Sequence, residues 1–435
     1  LKITHPGKHS GKKIVVIIGG GFAGLNAAKT LADKKDVEVV LIDQRNHHLF
    51  QPLLYQVATA GLNPSDIAVP IRAQFADNKN VEVHLGKIEK IHLKERTVAN
   101  RSHSQLEESI LLEYDYLILA CGARHSYFGK NEWQEFAPGL KTLEQATEIR
   151  KRILSIYERA ENEVNPEIRS ALLSFVVVGG GPTGVELAGA IADISRTVLL
   201  NDFKNIDPAQ TKVILVEAGS RVLAQFSEDL SQRAQRDLED IGVQVRTSTR
   251  VEKITADGVY FANEFIKSNC VLWAAGVQAS PLDIDVPVER DRAGRIKVNP
   301  DLSIPNHPEV FVVGDLASIQ IAANQFVPGL APAAIQGGKY AANKILSLIR
   351  NKQIADFKYF DKGQMATIGR NRALAQSGQL KMTGFIAWMA WFFIHILYLV
   401  GFKNRVAVMT QWAWSYLFSK RGARLITDSE WRLKD

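Results

Sequence analysis

One stretch constrains the fold more than any other: residues 12–44, KKIVVIIGGGFAGLNAAKTLADKKDVEVVLIDQ. Five apolar β-branched residues at 14–18 read as a strand buried on both faces. Gly19, Gly21 and Gly24 follow at once, and the apolar spacing then turns helical through Leu25, Ala28, Leu31 and Ala32. A second apolar strand at 37–42 ends in Asp43. Each part has a physical task. Gly19 permits the tight turn, Gly21 lets backbone approach a pyrophosphate, and Gly24 lets the helix pack closely on the strand. The free N–H groups and positive dipole end of that helix then face the phosphates. Asp43, nineteen residues after Gly24, stands where a carboxylate binds ribose hydroxyls. Three spaced glycines alone are a weak signal. Strand, glycines, helix, strand and acid in this order define a dinucleotide-binding unit.

The pattern then repeats. A buried strand at 175–178 leads into Gly179, Gly181 and Gly184, helix positions Val185, Leu187 and Ala188, and a strand at 213–216 ending in Glu217. The step from Gly184 to Glu217 is 33 residues instead of about 20. The polar stretch 196–210 accounts for the excess and reads as a longer helix and loop before the strand. Glu217 can accept both ribose hydroxyls and repels a 2′-phosphate, which favours NADH over NADPH, with Arg221 close enough to soften that preference.

Further strands complete both units. Residues 116–120 form a buried strand ending in Cys121-Gly122-Ala123, a small turn that brings Ala120, Cys121 and Gly122 against a cofactor. Cys121 reads more readily as a small buried residue than as a reactive thiol. Residues 270–273 end in Ala274-Ala275-Gly276-Val277, which mirrors that turn. Strands at 243–246 and 258–261 add to the second unit, and 81–85 and 96–100 read as exposed hairpin arms around a polar loop at 101–108. Residues 142–162 form a charged amphipathic helix, and Pro166 marks a boundary. The strand at 310–313 runs into Gly314-Asp315, returning a carboxylate to the first cofactor. The expected fold is α/β, with two Rossmann-like dinucleotide-binding domains in the manner of two-domain flavin reductases. The expected division is 11–170 and 299–355 for the first nucleotide, 171–298 for the second, and 356–435 as a C-terminal membrane-associated part.

A length of 435 residues suits about three domains. Two cysteines cannot build a disulfide framework, and no CxxC or Cys/His spacing offers a metal site. The start, LKITHPGKHSGKK, lacks the apolar core of a secretory signal and an initiating Met, consistent with a few residues trimmed away. The net charge of +7 is uneven: residues 381–435 hold eight Lys/Arg against three Asp/Glu, and five of the seven tryptophans. That mixture suits an anionic membrane surface, and no nucleic-acid motif accompanies it. Within it, residues 383–400, TGFIAWMAWFFIHILYLV, carry no Lys, Arg, Asp or Glu but fall short of the roughly 20 residues needed to span a bilayer. Residues 406–418 place Trp412, Trp414 and Tyr416 between Lys403/Arg405 and Lys420/Arg421/Arg424. Tryptophans with basic flanks read as helices lying in the interface, with ordinary core helices as the rival.

The longer motifs resemble the type II NADH dehydrogenases, single-subunit NADH:quinone oxidoreductases, over nearly the whole chain. They are NHHLFQPLLYQVATA at 46–60, GGGPTGVELAGAIAD at 179–193, WAAGV at 273–277, VGDLA at 313–317 and APAAIQGG at 331–338. The resemblance implies non-covalent FAD held by Gly19, Gly21, Phe22, Ala23, Gly24, Asp43, Gln44, Arg45 and His48. Ala120, Cys121, Gly122, Gly314, Asp315 and Ala333 would complete that site. It implies NADH against Gly179, Gly181, Pro182, Thr183, Gly184, Glu217, Ala275 and Gly276. A membrane quinone would lie at Ala331, Pro332 and Gln336, although the family motif usually has Gln where this chain has Pro332. Glu186 matches a family carboxylate near nicotinamide and flavin, and would otherwise be an acid in a helix's first turn. Glu186 and Gln336 are the candidates for tuning or proton relay. Gln336 could equally bond a loop carbonyl. The family reading further implies two-electron transfer without ion pumping, peripheral attachment at the cytoplasmic face of the cell membrane, and leaves a homodimer open. Two rivals stand beside it. A sulfide:quinone reductase would need Cys121 and Cys270 at work, and a nucleotide-responsive membrane-docking protein would bind the cofactors and turn over slowly.

Overall fold

A computed structural model describes residues 2–3, 11–102, 110–262, 264–418 and 422–427. The expected loop at 101–108 and the basic residues Lys420 and Arg421 therefore lie largely outside the described residues. The helices used below are α1 (Phe22–Leu31), α2 (Leu54–Ala58), α3 (Leu143–Asn162), α4 (Pro182–Asp193), α5 (Ala331–Ile349), α6 (Gly384–Tyr398) and α7 (Phe402–Phe418). The chain forms two compact units. One comprises Leu1–His48, Val69–Arg124 and Val277–Lys362; the other comprises Leu49–Ala68, His125–Gly276 and Gly363–Asp435. These borders differ from 170, 298 and 355. The helix α3 and the motif around α2 both belong to the second unit.

The first unit is built on a nine-stranded sheet. Its centre runs Val81–His92, Val37–Asp43, Lys13–Ile18, Tyr116–Leu119 and His307–Val312, all parallel neighbours. Val15, Val16 and Ile17 are fully buried, as expected for a strand with neighbours on both sides and layers on both faces. Each such side chain contributes roughly 1.5–3 kcal/mol by leaving water. The late strand at 307–312 pairs with Tyr116–Leu119, so the chain does return to its first fold. Arg96 is not in a strand: it turns the hairpin with φ of 51°, and the pairing arm is Thr97–Ser102. α5 crosses α1 so closely that a Cβ on Gly338 would lie 2.1 Å from the Ala23 carbonyl oxygen. Small residues at Ala333, Ala334, Gly337, Ala341 and Ala342 make that crossing possible.

The second unit holds a four-stranded parallel sheet ordered Val243–Arg246, Lys212–Val216, Ser174–Val178 and Cys270–Trp273. α4 passes directly into a single π-helical stretch, Ile194–Val198, before the irregular run to the 3-10 turn Pro208–Gln210. That is the longer helix and loop expected at 196–210. α3 is capped by Thr142, whose side chain accepts from Gln145 N, a cap worth about 1 kcal/mol. Its buried stripe of Ala146, Ile149, Ile153, Tyr157 and Ala160 follows the helical period. The hairpin strands Gln364–Thr367, Ala373–Ser377 and Leu380–Thr383 form an antiparallel sheet that leads into α6. α6 and α7 bury Ala387, Trp391, Ile396 and Val408 but leave Phe385, Ile386, Phe393, Leu397, Phe402 and Trp414 more than half exposed. No helix among the described residues is long and apolar enough to cross a membrane.

Candidate functional site

The first glycine turn is shaped by contacts that leave no room for a side chain. Gly19 has φ of 105°, and a Cβ there would meet Ala120 O at 2.4 Å. A Cβ on Gly24 would sit 1.8 Å from Gly19 O, which is the close helix–strand contact expected of that glycine. At Gly21 nothing lies within 4 Å of such a Cβ, so the outer side of the turn is open to a ligand. Asp43 closes the turn. Its Oδ2 accepts from Gly20 N at 2.6 Å and its Oδ1 from Arg45 N at 2.7 Å. Burial raises its pKa, and those two backbone N–H groups partly offset the effect.

His48 lies under the same turn, 2% exposed, with Nδ1 3.0 Å from Gly20 O and its ring edge-on to Phe22 at 5.1 Å. Burial drops its pKa to about 4, so the ring is neutral, and Nδ1 carries the proton that Gly20 O accepts. Its Nε2 then points an unshared lone pair at no hydrogen-bond partner. A buried acceptor without a donor is costly, about 1–3 kcal/mol, and a ligand hydroxyl would satisfy it. Cys121 contacts Ile18 O at 3.6 Å, and burial pushes its thiol up to about 12. Gly314, at φ of 68°, lies against Ala23 and Ala334, and Asp315 follows it in a 3-10 turn. The open turn, the closing carboxylate and the orphaned His48 nitrogen fit a dinucleotide such as FAD.

Gln336 resolves differently from a free contact. Its Nε2 donates to Phe360 O at 2.9 Å and its Oε1 accepts from Phe360 N at 3.0 Å. Both ends of the amide are therefore on one backbone residue, which is the loop-bonding role. Ala331 and Pro332 occupy the first turn of α5, which starts one residue earlier than Pro332.

The second glycine turn repeats the first. Gly179 has φ of 112°, and a Cβ would meet the Ala274 backbone at 2.6 Å. A Cβ on Gly184 would lie 1.8 Å from Gly179 O, and Gly181 is again open. Glu217 closes the turn with Oε2 on Gly180 N and Oε1 on Gly219 N, both at 2.6 Å. Pro182 occupies the first turn of α4, where a missing N–H costs nothing. Gly276, at φ of 109°, is covered by the Phe128 ring, and Tyr127 stacks on Trp273 at 5.1 Å beside it. Arg221 donates to Phe226 O and Ala224 O, so its guanidinium is committed to its own loop.

Glu186 is the fifth residue of α4, past its first turn, so a role in stabilising the helix start is ruled out. Its carboxyl is half-buried by surface area but densely surrounded, and burial pushes its pKa up to about 8. Its Oε1 accepts from a backbone N–H, that of Thr367, at 3.4 Å. Thr367 was not among the sequence candidates, because no motif or spacing links a residue 181 positions away. A further set that sequence spacing did not suggest is His92, Glu95 and Asp285, whose ligand atoms lie within 4.8 Å of one another on the first unit.

Two parallel-sheet units, each with a glycine turn closed by a carboxylate, define a two-dinucleotide oxidoreductase. The profile of the pyridine nucleotide-disulphide oxidoreductases matches residues 13–338. The chain is 44% identical over 428 residues to the type II NADH:quinone oxidoreductase Ndh of Mycobacterium tuberculosis, covering 96% of this chain and 90% of that one. It is 43% identical to NdhA of the same organism, covering 98% and 92%. The chain belongs to the type II NADH:quinone oxidoreductases within that wider family. Its fold is similar to that of NDH2 from Plasmodium falciparum in complex with NADH, with a TM-score of 0.87 at 21% identity over 96% of this chain and 100% of that one. A sulfide:quinone oxidoreductase from Aquifex aeolicus matches less well, with a TM-score of 0.69 at 19% identity over 93% and 95%.

Proposed function

We propose that this chain oxidises NADH and reduces a membrane quinone, with FAD held on the first unit and NADH on the second. The observation that carries the assignment of sites is the repeated turn, in which Asp43 and Glu217 each clamp a glycine N–H and leave the neighbouring glycine open. When bound, the flavin supplies hydride acceptance from NADH and two-electron donation to quinone. The chain's own residues bind, orient and move protons. Asp43 and Glu217 each keep a second lone pair on either oxygen for ribose hydroxyls, and Glu217 disfavours a 2′-phosphate by charge. Neutral His48 offers Nε2 as an acceptor. Glu186, mostly protonated at neutral pH, donates a proton at Oε. Gln336 holds the segment around Phe360 in place and so shapes the start of α5, where Ala331 and Pro332 lie in the proposed quinone region.

The sulfide:quinone reading needs a thiolate. Both thiols are held near 12, and Cys270 is 1% exposed, which argues against it. The exposed apolar side chains of α6 and α7 support attachment to a lipid surface. That surface would be the cytoplasmic face, where NADH is available and anionic lipid attracts the basic C-terminal segment. Trp412, however, faces inward on Trp391 and Phe392, so Trp414 and the phenylalanines are the interfacial anchors instead. Anaerobic stopped-flow tests the activity: NADH should bleach the flavin band and a short-chain quinone should restore it. Bleaching without recovery would remove quinone as the acceptor.

A further inference from the structure

His92, Glu95 and Asp285 bring three metal-ligating side chains together within the first unit. His92 ends the strand Val81–His92, and Glu95 stands in the turn before the returning arm Thr97–Ser102. Asp285 reaches them on a short parallel bridge between Ile91 and Ile284. Ile91 N donates to Asp283 O at 2.9 Å, and Asp285 N donates to Ile91 O at 3.0 Å. Asp285 Oδ1 also accepts from Leu93 N at 2.9 Å, which fixes the carboxylate and leaves Oδ2 for a ligand. On the same strand Leu85 is the partner of Asp43, so roughly 23 Å of strand separates His92 from the first glycine turn.

The charges around this set are unbalanced. Glu95 and Asp285 have no ion-pair partner among the described residues, and Arg96 is 3.5 Å from Glu309 instead. The His92 ring likewise makes no hydrogen bond among the described residues, so a ring nitrogen is free to ligate. Tyr114, whose backbone N–H donates to Arg96 O of the same hairpin at 3.0 Å, is 4% exposed. Its hydroxyl has no hydrogen-bond partner. Burial first, then Glu309 and Asp285, raises its pKa, so the hydroxyl keeps its proton. A buried hydroxyl in the field of Asp285 is matched by the water that a three-ligand metal ion carries in its open position.

We propose that His92, Glu95 and Asp285 bind one divalent cation of the zinc class, with Tyr114 bonded to the water it retains. Imidazole combined with carboxylates suits zinc, whereas magnesium and calcium take all-oxygen sets. A triangle 4.8 Å on a side has its centre about 2.8 Å from each corner, and zinc needs roughly 2.0–2.2 Å. Glu95 is exposed on its turn, so rotation of its side chain closes that gap. The Leu93 N–H on Asp285 Oδ1 orients one ligand from behind, as metal-bound carboxylates require. The ion's task is structural: it clamps the hairpin at 92–97 to a segment that lies 192 positions beyond Leu93. Hydride transfer does not pass through it.

The test uses the full-length, flavin-loaded protein, stripped of metal with EDTA, and its His92→Ala, Glu95→Gln and Asp285→Asn variants. Calorimetric titration with zinc chloride should show one ion per chain at a micromolar Kd. His92→Ala and Asp285→Asn should each weaken binding at least tenfold, and Glu95→Gln severalfold. Zinc-edge X-ray absorption should show a single imidazole among oxygen ligands, lost in His92→Ala. Because the ion binds only the folded chain, zinc should raise the wild-type unfolding midpoint by several degrees and leave that of Asp285→Asn unchanged. All three variants should stay yellow and keep NADH:quinone turnover within about twofold, which separates loss of the site from loss of the fold. Zinc binding undiminished in His92→Ala and Asp285→Asn would overturn the site, as would no binding to the wild type at millimolar zinc. Magnesium bound in preference to zinc would overturn the class of cation.

Discussion

In the first unit Asp43 closes its glycine turn through the N–H groups of Gly20 and Arg45; in the second, Glu217 does the same through Gly180 and Gly219. Both leading glycines have φ near 110°, at 105° and 112°, and both third glycines would place a Cβ 1.8 Å from a carbonyl oxygen. The difference begins two residues later. Asn26 in α1 donates back to Phe22 O of its own helix, at 2.8 Å. Glu186, at the matching position of α4, is held protonated by burial and met by Thr367 from a distant hairpin. α1 is instead sealed by α5 through Gly338. One local device thus recurs in both units, and the packing on the helix decides which of them buries a carboxyl.

The strongest way to break this comparison is to fill the third glycine of each turn. Gly24→Ala should yield protein without bound flavin, read as loss of yellow absorbance. Gly184→Ala should stay yellow but raise KM for NADH by about a hundredfold or more, because an overpacked turn costs several kcal/mol when the blocking atom is backbone. If both variants lost flavin equally, the two turns would not be independent sites.

The next contrast is Glu186 against Asn26. Glu186→Gln should lower kcat with quinone about a hundredfold, within the usual reach of a general acid. Because burial raises the pKa, the donor form exists below about 8, so wild-type turnover should fall as pH rises through 8. The Gln variant should lose that limb of the profile. Asn26→Ala removes only a helix-internal bond and should change kcat less than twofold.

The closing carboxylates sharpen the comparison further. Asp43→Asn and Glu217→Gln each weaken a hydrogen bond to a charged acceptor, worth about 1.5–3 kcal/mol. Asp43→Asn should weaken flavin retention, measured by release during dilution. Glu217→Gln should raise KM for NADH roughly tenfold or more and narrow the preference over NADPH. Arg221 should have little part in that preference, since its guanidinium already bonds two carbonyls.

The smallest effect belongs to the thiols. Replacing Cys121 and Cys270 by Ser should leave NADH:quinone turnover within about twofold. Loss of turnover with retained flavin would revive the thiol-dependent rival.

The geometry of the two glycine turns was legible in the sequence because its determinants are local. Gly19, Gly24, Gly179 and Gly184 sit where only a missing Cβ fits, and Asp43 and Glu217 bond N–H groups at the turns they close. Gln336 shows the limit. As a polar residue among small ones it was compatible with an acceptor contact or a loop bond, and only the placement of Phe360 separates the two. The unit borders were also hidden, since the motif around α2 reads as continuous with the first fold yet packs with α3 and α4 in the second.

The sequence by itself determined the two nucleotide turns, the order of strands that carries them and the unspanning, aromatic C-terminal pair. Those depend on φ, side-chain volume and apolar period, which are properties of residues close in the chain. Only the tertiary structure decided that Trp412 turns inward to orient Gln56, that Tyr55 meets Thr367 across 312 positions, and that Glu186 is buried enough to hold a proton at neutral pH. Desolvation and hydrogen-bond direction are set by atoms remote in sequence, and no spacing along the chain encodes them.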